Sequence, residues 1–265
     1  MKVLIFQDLA QAEAYVASEV LARIEQAPNP VLGLATGGTM ERVYARIVHS
    51  AQAQKTDFSQ VRSFNLDEYW GIPSSHPCSY MHYMCTHLFT PLNMDLSLTQ
   101  LPNGVAADAE AEAARYEAAI EAAGGIDLQL LGIGINGHIG FNEPTSSLGS
   151  RTRLKTLTQS TRDANRRYFD NAEDVPRFAL TMGIASILEA RHVLLLATGA
   201  AKSRAVAQMI EGPLAAICPA SALQLHPKAT IVLDAAAAAD LMLGDYYDQI
   251  HPNGAPAPVP TKPST

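Results

Sequence analysis

The stretch Val31-Leu32-Gly33-Leu34-Ala35-Thr36-Gly37-Gly38-Thr39 decides the fold, because a short apolar run leads into a glycine pair and then into an amphipathic helix. Its first five residues carry no polar side chain, as expected of a strand buried on both faces of a parallel sheet. The glycines that follow let backbone N–H groups approach an anion at a helix N-terminus. This stretch therefore predicts an α/β protein with a site that could cradle one phosphate at a strand end.

Short apolar runs alternate with longer amphipathic stretches along most of the chain, which predicts a mostly parallel sheet flanked by crossover helices. The predicted strands are Lys2–Phe6, Val31–Ala35, Val61–Asn65, Leu128–Ile133, His192–Ala197 and Thr230–Leu233. The predicted helices are about Ala10–Gln26, Met40–Gln54, Ser79–Leu88, Ala106–Ala123, Ile184–Ala190 and Lys202–Ile210.

Three segments depart from this alternation. Ser150–Arg177 is long, polar and rich in arginine, so we expect a lid or a subunit contact there. The run Ala235–Ala239 is a good helix former. After Ile250 the chain is rich in proline and can neither continue a helix nor pack a core. We therefore predict one α/β domain over residues 1–250 and a disordered tail over residues 251–265.

The composition excludes several classes of protein. The 265 residues are 48% hydrophobic and 17% charged, which suits one globular domain. The formal net charge of -7 argues against nucleic-acid binding but leaves a small anionic ligand open. Three cysteines without a CxxC pair argue against a zinc site or a disulfide scaffold. No apolar run is long enough for a signal peptide or a membrane span. We expect a soluble cytoplasmic protein with no metal, membrane or nucleic-acid partner.

Residues that directly follow strands are the best candidates for a site, because ligands bind beyond the carboxyl ends of parallel strands. Leu196-Ala197-Thr198-Gly199 repeats Leu34-Ala35-Thr36-Gly37, and Lys202 follows in the first turn of a predicted helix. A lysine there would place a cation beside the same phosphate. Tight strand-to-helix turns with threonine caps are the alternative explanation, and the repetition favours a binding role.

Two further strand ends carry titratable side chains. Asp67 and Glu68 follow the strand Val61–Asn65, and a neighbouring negative charge makes a carboxylate a better base. A solvated turn or a helix cap is the alternative. In the glycine-rich loop after Leu128–Ile133, His138 lies five residues before Glu143, which could orient the imidazole for proton transfer. A hydrogen-bonded loop histidine is the alternative there.

A dense cationic cluster stands out in this acidic chain. One phosphate uses only one or two guanidinium groups, so we expect most of the cluster to form surface ion pairs and one or two members to clamp a phosphate. Its members are Arg151, Arg153, Lys155, Arg162, Arg166 and Arg167.

With these motifs, the chain resembles the glucosamine-6-phosphate deaminase (isomerase) family from about Lys2 to Tyr247. The resemblance implies a Rossmann-like fold and a hydrolase of a carbon–nitrogen bond that converts glucosamine 6-phosphate to fructose 6-phosphate and ammonia in amino-sugar catabolism, without a metal or an organic cofactor. It is carried by Leu32-Gly33-Leu34-Ala35-Thr36-Gly37-Gly38-Thr39, Phe64-Asn65-Leu66-Asp67-Glu68-Tyr69, Gly137-His138-Ile139-Gly140-Phe141-Asn142-Glu143-Pro144, Ser150-Arg151-Thr152-Arg153-Leu154-Lys155-Thr156-Leu157-Thr158 and Leu223-Gln224-Leu225-His226-Pro227-Lys228.

The resemblance also implies a role for individual residues. Asp67 would move the C2 proton of the sugar, and His138 would open the ring with support from Asn136 and Glu143. Some family members have aspartate at the position of Asn136; because asparagine carries no charge, Glu143 is expected to be the main acidic partner of His138. The phosphate of the substrate would be held by Thr36, Gly37, Gly38, Thr39, Arg167 and Lys202.

Regulation and assembly follow from the same resemblance. In hexameric members the activator N-acetylglucosamine 6-phosphate binds at a subunit interface, through residues that match Ser146, Ser147, Arg153 and Lys155. The family includes hexamers and monomers, so both the homo-oligomer and the allosteric site are open.

Three other functions are alternatives. A galactosamine-6-phosphate deaminase and a 6-phosphogluconolactonase share the fold and the phosphate site. A non-catalytic sugar-phosphate sensor belongs to a different class, and the missing helix-turn-helix segment and the negative charge argue against it.

Overall fold

The computed structural model describes residues 1–169, 171 and 174–255, which form a large parallel sheet flanked by helices and a second, smaller sheet. The strands in chain order are β1 (Lys2–Phe6), β2 (Val31–Leu34), β3 (Arg62–Asn65), β4 (Asp67–Tyr69), β5 (Thr99–Gln100), β6 (Leu128–Leu131), β7 (Arg153–Thr156), β8 (Phe178–Thr181), β9 (Val193–Ala197) and β10 (Ala229–Asp234). The helices are α1 (Leu9–Gln26), α2 (Gly38–Gln54), α3 (Tyr80–Met84), α4 (Ala109–Ala122), α5 (Gln159–Asn165), α6 (Ile184–Leu188), α7 (Ser203–Ile210) and α8 (Gly244–Ile250).

The large sheet has the strand order β1-β10-β9-β6-β2-β3-β5, and every neighbouring pair is parallel. Strands β2, β9 and β10 are buried along their whole length, which explains why β2 and β9 read as uninterrupted apolar runs and β10 as a mostly apolar one. Each predicted strand is present with its ends shifted by at most two residues. The predicted fold class, a mostly parallel sheet flanked by helices, is confirmed.

The predicted helices are also present, with local corrections at their ends. The predicted helix Ser79–Leu88 divides into α3 and a π-helical turn at Cys85–Phe89. Helix α4 begins three residues later than predicted, because the side chain of Asp108 accepts two backbone N–H groups of its first turn. The alanine run at residues 235–239 forms hydrogen-bonded turns after β10 instead of a helix.

The second sheet was not predicted. Strands β4, β8 and β7 pair antiparallel in that order. Strand β7 lies inside the polar segment Ser150–Arg177 and alternates between half-buried and exposed side chains, so its sequence lacks the apolar run of a buried strand. A small apolar core supports this sheet and consists of Tyr69, Phe141, Leu157, Phe169, Val175 and Ala179.

A single residue, Leu66, joins the two sheets. Its N–H donates to the carbonyl oxygen of Leu34 at 3.0 Å, and its carbonyl oxygen accepts the N–H of Met182 at 2.7 Å. Leu66 is thus hydrogen-bonded to β2 of the large sheet on one side and to the residue after β8 on the other. The next residue, Asp67, is placed at the junction and is buried there.

The disordered tail was predicted to begin at residue 251, but the residues up to 255 belong to the described structure. Residues Pro252–Gly254 form a 3₁₀ turn, and Gly254 is buried against the ring of Phe6, so close that a Cβ at Gly254 would lie 2.6 Å from a ring carbon. The predicted tail from residue 256 onward lies outside the described residues. No helix among residues 1–169, 171 and 174–255 has the length and apolar character needed to span a membrane.

Gly183 offers a test of the packing between the start of α6 and the backbone just before β7. A Cβ at this position would lie 2.0 Å from the carbonyl oxygen of Ser150 and 2.4 Å from that of Arg151, which are backbone atoms that cannot rotate away. We expect Gly183→Ala to lower the free energy of unfolding by about 1–3 kcal/mol, measured by urea denaturation. Gly244→Ala is the matched control, since a Cβ there would have no described atom within 4 Å beyond its own chain neighbours. Equal stability of the two variants would contradict this packing.

Candidate functional site

A cavity of about 790 Å³ opens at the carboxyl ends of β2, β6 and β9. This is the edge of a parallel sheet at which ligands bind. The residues predicted for proton transfer and for phosphate binding line this cavity, except Glu143, which lies behind it in contact with Asn136. The lining members of the two predicted sets are Thr36, Gly37, Gly38, Thr39, Asp67, Asn136, His138, Arg167 and Lys202.

The glycine pair after β2 forms the floor of one end of the cavity. Gly37 has a φ of 106°, which a side chain would strain, and α2 begins at the next residue, Gly38. The guanidinium of Arg167 lies over this loop, so that a Cβ at Gly38 would be 2.9 Å from its Nη2 atom. Backbone N–H groups, the N-terminus of a 17-residue helix and a guanidinium therefore converge at one point.

The repeated turn after β9 has a similar backbone and a different role. Gly199 has a φ of 83°, close to that of Gly37. Its N–H, however, donates to both carboxylate oxygens of Asp234 at 3.0 Å. This second turn therefore does not present the Gly199 N–H to a ligand. It carries Lys202 to the cavity instead.

Lys202 and Arg167 place two cationic side chains at the same end of the cavity. Burial lowers the pKa of Lys202, and the nearby charge of Arg167 lowers it further. Within the described part of the chain, no carboxylate oxygen lies within 4 Å of a side-chain nitrogen of either residue. Arg167 donates to the hydroxyl of Tyr168 at 2.7 Å. Two cations without an acidic partner favour an anionic ligand.

Asp67 is the buried acid of the cavity. Its side chain lies beside Gly140, where a Cβ would be 3.3 Å from Oδ2. Burial raises the pKa of Asp67 to about 8, and the charge of Glu68 adds to the rise. Glu68 is buried as well, but its carboxylate accepts the backbone N–H groups of Tyr69, Tyr80 and Met81 at 2.9–3.1 Å. Burial raises the pKa of Glu68 to about 7, and these hydrogen bonds oppose the rise. The solvated turn considered as the alternative is thus wrong, since Asp67–Tyr69 is a buried strand.

His138 packs against the backbone of Gly134, where a Cβ would lie 2.2 Å from the imidazole. Its Nδ1 is 2.6 Å from Oδ1 of Asn136, and Nδ2 of Asn136 donates to Oε2 of Glu143 at 2.9 Å. A carboxylate only accepts hydrogen bonds, so the amide NH₂ faces Glu143 and the amide oxygen faces His138. The proton of the neutral ring is therefore on Nδ1, and Nε2 has a free lone pair.

Glu143, expected to be the main acidic partner of His138, has its Oε2 3.6 Å from Nδ1 of the ring. The closer contact is with a neutral group, because the amide oxygen of Asn136 lies 2.6 Å from Nδ1. Burial lowers the pKa of His138, the charge of Glu143 opposes this and that of Lys202 adds to it. The histidine is thus neutral near pH 7.

The second carboxylate oxygen of Glu143 contacts the segment that was expected to form a lid. Oε1 accepts a hydrogen bond from the hydroxyl of Thr161 in α5 and another, at 3.1 Å, from the hydroxyl of Thr158. Burial would raise the pKa of Glu143, yet these bonds and the charge of His138 hold it below its usual value. Glu143 is therefore a fixed carboxylate between the histidine loop and α5.

The four residues expected at an allosteric site lie outside the cavity lining. Arg153 and Lys155 are two residues apart on β7 and so lie on the same face of the small sheet. Arg153 donates to Oδ1 of the buried Asn142 at 2.9 Å. The side chain of Ser146 is buried and Ser147 is exposed.

Most of the cationic cluster was expected to form surface ion pairs, but among the described residues Arg151 is the one member in an ion pair, with Glu117 and Glu189. Arg162 donates instead to the carbonyl oxygen of Val175. Of the six members, Arg167 lines the cavity.

Sequence reasoning missed two residues of the site. Tyr80 lines the cavity at the start of α3, and its only sequence signal is its position after the helix-capping Ser79. Thr161 also lines the cavity and contacts Glu143, which is distant in sequence. No local pattern could have revealed the second contact, because it depends on how α5 packs.

The fold and this cavity define a class of α/β protein in which a cationic, glycine-lined site lies at the carboxyl edge of a parallel sheet. The chain belongs to the family of glucosamine-6-phosphate isomerases/6-phosphogluconolactonase, whose model matches residues 7–232.

The chain is similar in sequence to glucosamine-6-phosphate deaminases. The chain is 52% identical over 250 residues to a glucosamine-6-phosphate deaminase of Marinomonas sp. (strain MWYL1), covering 93% of this chain and 94% of the relative. It is 49% identical over 248 residues to one of Streptomyces coelicolor (strain ATCC BAA-471 / A3(2) / M145), covering 93% and 95%. A solved monomeric glucosamine-6-phosphate deaminase is 44% identical with a TM-score of 0.89, covering 91% of this chain and all of that one.

A 6-phosphogluconolactonase from Leishmania guyanensis shares the fold at a TM-score of 0.70 and 20% identity, covering 89% of this chain and 97% of that one. The sequence resemblance is thus confirmed by the family model and by these relatives, and the lactonase likeness extends to the fold alone.

The pKa of Asp67 predicts how stability depends on pH. The folded-state pKa of about 8 lies above the ordinary value of 3.8, so the folded protein binds an extra proton between these pH values and loses stability as the pH rises through them. Asparagine has no carboxyl group to ionise, so Asp67→Asn removes this loss of stability at high pH. We expect Asp67→Asn to raise the unfolding midpoint by roughly 2–4 °C or more at about pH 8.5, and by less at about pH 5. Asp245→Asn, an exposed carboxylate in α8, is the control. An equal change of the unfolding midpoint at both pH values would mean that the pKa of Asp67 is not raised in the folded protein.

Proposed function

We propose that the chain is a glucosamine-6-phosphate deaminase that converts glucosamine 6-phosphate and water to fructose 6-phosphate and ammonia. One observation carries the proposal: a buried carboxyl group with a raised pKa, Asp67, lines the same cavity as two cations that have no acidic partner among the described residues. A phosphorylated sugar with an acidic C–H group matches this arrangement. The identity to deaminases over nearly the whole chain supports the same choice.

Binding begins with the phosphate of the sugar. Thr36, Thr39 and the N–H groups of the Gly37–Gly38 turn would hold its oxygens at the N-terminus of α2, while Arg167 and Lys202 balance its charge. These contacts are remote from the reacting carbons. Their contribution is therefore to anchor and orient the substrate.

Ring opening would use the free lone pair on Nε2 of His138. The imidazole takes the proton of the anomeric hydroxyl and returns a proton to the ring oxygen, which breaks the C1–O5 bond and leaves an aldehyde at C1. Asn136 and Glu143 hold the ring in the required tautomer. A neutral histidine suits this relay near pH 7.

Isomerisation and loss of ammonia would depend on Asp67. Its carboxylate removes the C2 proton beside the aldehyde to form an enolamine, and a proton is then delivered to C1 to give the imine at C2. Water adds to C2 and ammonia leaves, which yields the ketone. Protons move, the C1–O5 and C2–N bonds break and a C2–O bond forms, while the oxidation of C2 is balanced by the reduction of C1, so no redox partner is required.

The alternatives stay open to direct test. The deaminase relatives favour an amino-sugar phosphate over a lactone, while nothing in the cavity identifies the C4 configuration that separates glucosamine from galactosamine. A sensor without catalysis would have no use for a buried acid and a relay histidine in one cavity. The cytoplasmic location stays a prediction.

Regulation and assembly are further parts of the proposal. Arg153 has no carboxylate oxygen within 4 Å among the described residues, and the buried hydroxyl of Ser146 has no hydrogen-bond partner there. These two features, with Lys155 and Ser147, support a second site for a phosphorylated sugar such as N-acetylglucosamine 6-phosphate. A hexamer stays a prediction, and the structural relative at 44% identity is a monomer.

The direct test is ammonia release by the purified protein from glucosamine 6-phosphate, with galactosamine 6-phosphate and 6-phosphogluconolactone as parallel substrates. We expect turnover of the first, and sensitivity to N-acetylglucosamine 6-phosphate if the second site operates. Asp67→Asn should lower turnover by about a hundredfold or more, the effect of losing a general base. Asp245→Asn should turn over like the parent. Hydrolysis of the lactone without ammonia release would overturn the proposal.

The phosphate site has its own test. Arg167→Ala and Lys202→Ala should each raise KM for glucosamine 6-phosphate by roughly tenfold or more with a smaller change in kcat, since both charges act away from the reacting carbons. Arg166→Ala removes the exposed neighbouring cation and should leave KM unchanged. Steady-state kinetics of the three variants tests this site. An unchanged KM in both Arg167→Ala and Lys202→Ala would mean that the phosphate binds elsewhere.

A further inference from the structure

The carboxylate of Glu143 joins the histidine loop to α5 through its two separate oxygens. Oε2 faces the loop, where it accepts from Nδ2 of Asn136 at 2.9 Å. Oε1 faces α5, where it accepts from the hydroxyls of Thr161 and Thr158. Glu143 is 2% exposed and Thr161 is 5% exposed, so water does not compete freely for these bonds. The orientation of the carboxylate is thus set from the α5 side.

The two threonines have different roles. Thr158 is the N-cap of α5, and its hydroxyl accepts the N–H of Thr161 at 3.3 Å. The hydroxyl of Thr161 caps nothing, since it lies inside the helix and donates to the carboxylate. A buried donor to a charged group makes a stronger bond than one between neutral groups. The hydroxyl of Thr161 therefore binds the carboxylate of Glu143 and does not cap the helix.

We propose that Thr161 is a positioning residue, which fixes the Nδ1–H tautomer of His138 through Glu143 and Asn136. The inference rests on the proposed function, in which Nε2 of His138 must carry a lone pair to open the sugar ring. Thr161 holds Oε1, and Oε2 is thereby held toward Asn136. The amide of Asn136 is then aligned to accept the Nδ1 proton.

His138 needs this chain of hydrogen bonds because of the chemistry of imidazole. A free neutral histidine prefers to carry its proton on Nε2, which leaves no lone pair on that atom. The hydrogen bond to Asn136 Oδ1 reverses this preference only while the amide is correctly oriented. If Glu143 turns away, the amide loses the acceptor that orients it. The ring then returns toward the inactive Nε2–H form.

The same segment also reaches the phosphate end of the cavity. Shortly after Thr161, which binds Glu143, the chain enters the 3₁₀ turn Arg166–Tyr168, and this turn carries Arg167 over Gly38. Thr161 and Arg167 thus lie on the same short segment, one at the histidine loop and the other at the phosphate end, so phosphate affinity reports whether a change at Thr161 disturbs the whole segment.

Thr161→Val removes the hydroxyl and keeps a β-branched side chain of similar size, while Thr161→Ser keeps the hydroxyl. Thr156→Val, at an exposed position of β7, is the matched control. The readout is the ¹⁵N spectrum of histidine-labelled, ligand-free protein at a pH at which His138 is neutral, with its signals assigned by His138→Gln. Glu143 and Lys202 are the charged groups that act on this ring, and both side chains are kept in all three threonine variants.

We expect the parent, Thr161→Ser and Thr156→Val to show the Nδ1–H form, and Thr161→Val to show mostly the Nε2–H form. The Val variant should lose about tenfold in kcat, with KM and the affinity for inorganic phosphate within about twofold of the parent. A merely structural role for Thr161 would weaken phosphate binding and leave the tautomer unchanged. Thr161→Ala removes the same hydroxyl if the Val variant does not fold.

The tautomer measurement uses no substrate, so it separates the two claims. An Nδ1–H signal that persists in both Thr161→Val and Thr161→Ala overturns the positioning role, even when the parent releases ammonia. A tautomer shift in a protein that releases no ammonia from glucosamine 6-phosphate supports the positioning role and rejects the proposed function.

Discussion

The structure depends on the one-residue connection between its two sheets. Leu66 is hydrogen-bonded to β2 through its N–H and to Met182 through its carbonyl oxygen, so the chain passes from a parallel to an antiparallel sheet without a loop. Asp67 follows directly, is buried, and lines the cavity. The raised pKa of Asp67 is therefore a consequence of where the two sheets meet.

Charge is distributed unevenly across the cavity. At one end, Arg167 and Lys202 lie near the N-terminus of α2, and no described carboxylate oxygen lies within 4 Å of a side-chain nitrogen of either residue. In the same cavity, Asp67 lies beside Glu68, and burial of both carboxyl groups opposes their ionisation. Both arrangements cost stability in the empty protein, because like charges and buried acids are unfavourable. A ligand with a phosphate group would relieve the repulsion between the two cations.

Much of the fold could be predicted from sequence because its central strands are buried on both faces. Strands β9 and β10 read as apolar runs for that reason, and the turns after β2 and β9 could be recognised from their glycines. Strand β7 could not be predicted, since its alternating half-buried pattern is that of a polar segment. In the small sheet, the order β4-β8-β7 joins β4 to strands that lie far away in sequence.

For the candidate site, the sequence predicted several of the residues that line the cavity, but it did not predict which of them contact one another. The sequence suggested Glu143 as the acidic partner of His138, but it could not show that the amide of Asn136 makes hydrogen bonds to both side chains. The two glycine turns are also only partly equivalent, because Asp234 occupies the N–H of Gly199.

The most direct measurement is the titration of the Asp67 carboxyl carbon by ¹³C NMR in the ligand-free protein, with the signal assigned by its loss in Asp67→Asn. We expect a midpoint near pH 8, because the junction of the two sheets buries the group beside Glu68. A midpoint near the ordinary value of 3.8 would contradict this, since an aspartate that is already ionised at acidic pH is not held at a desolvated junction.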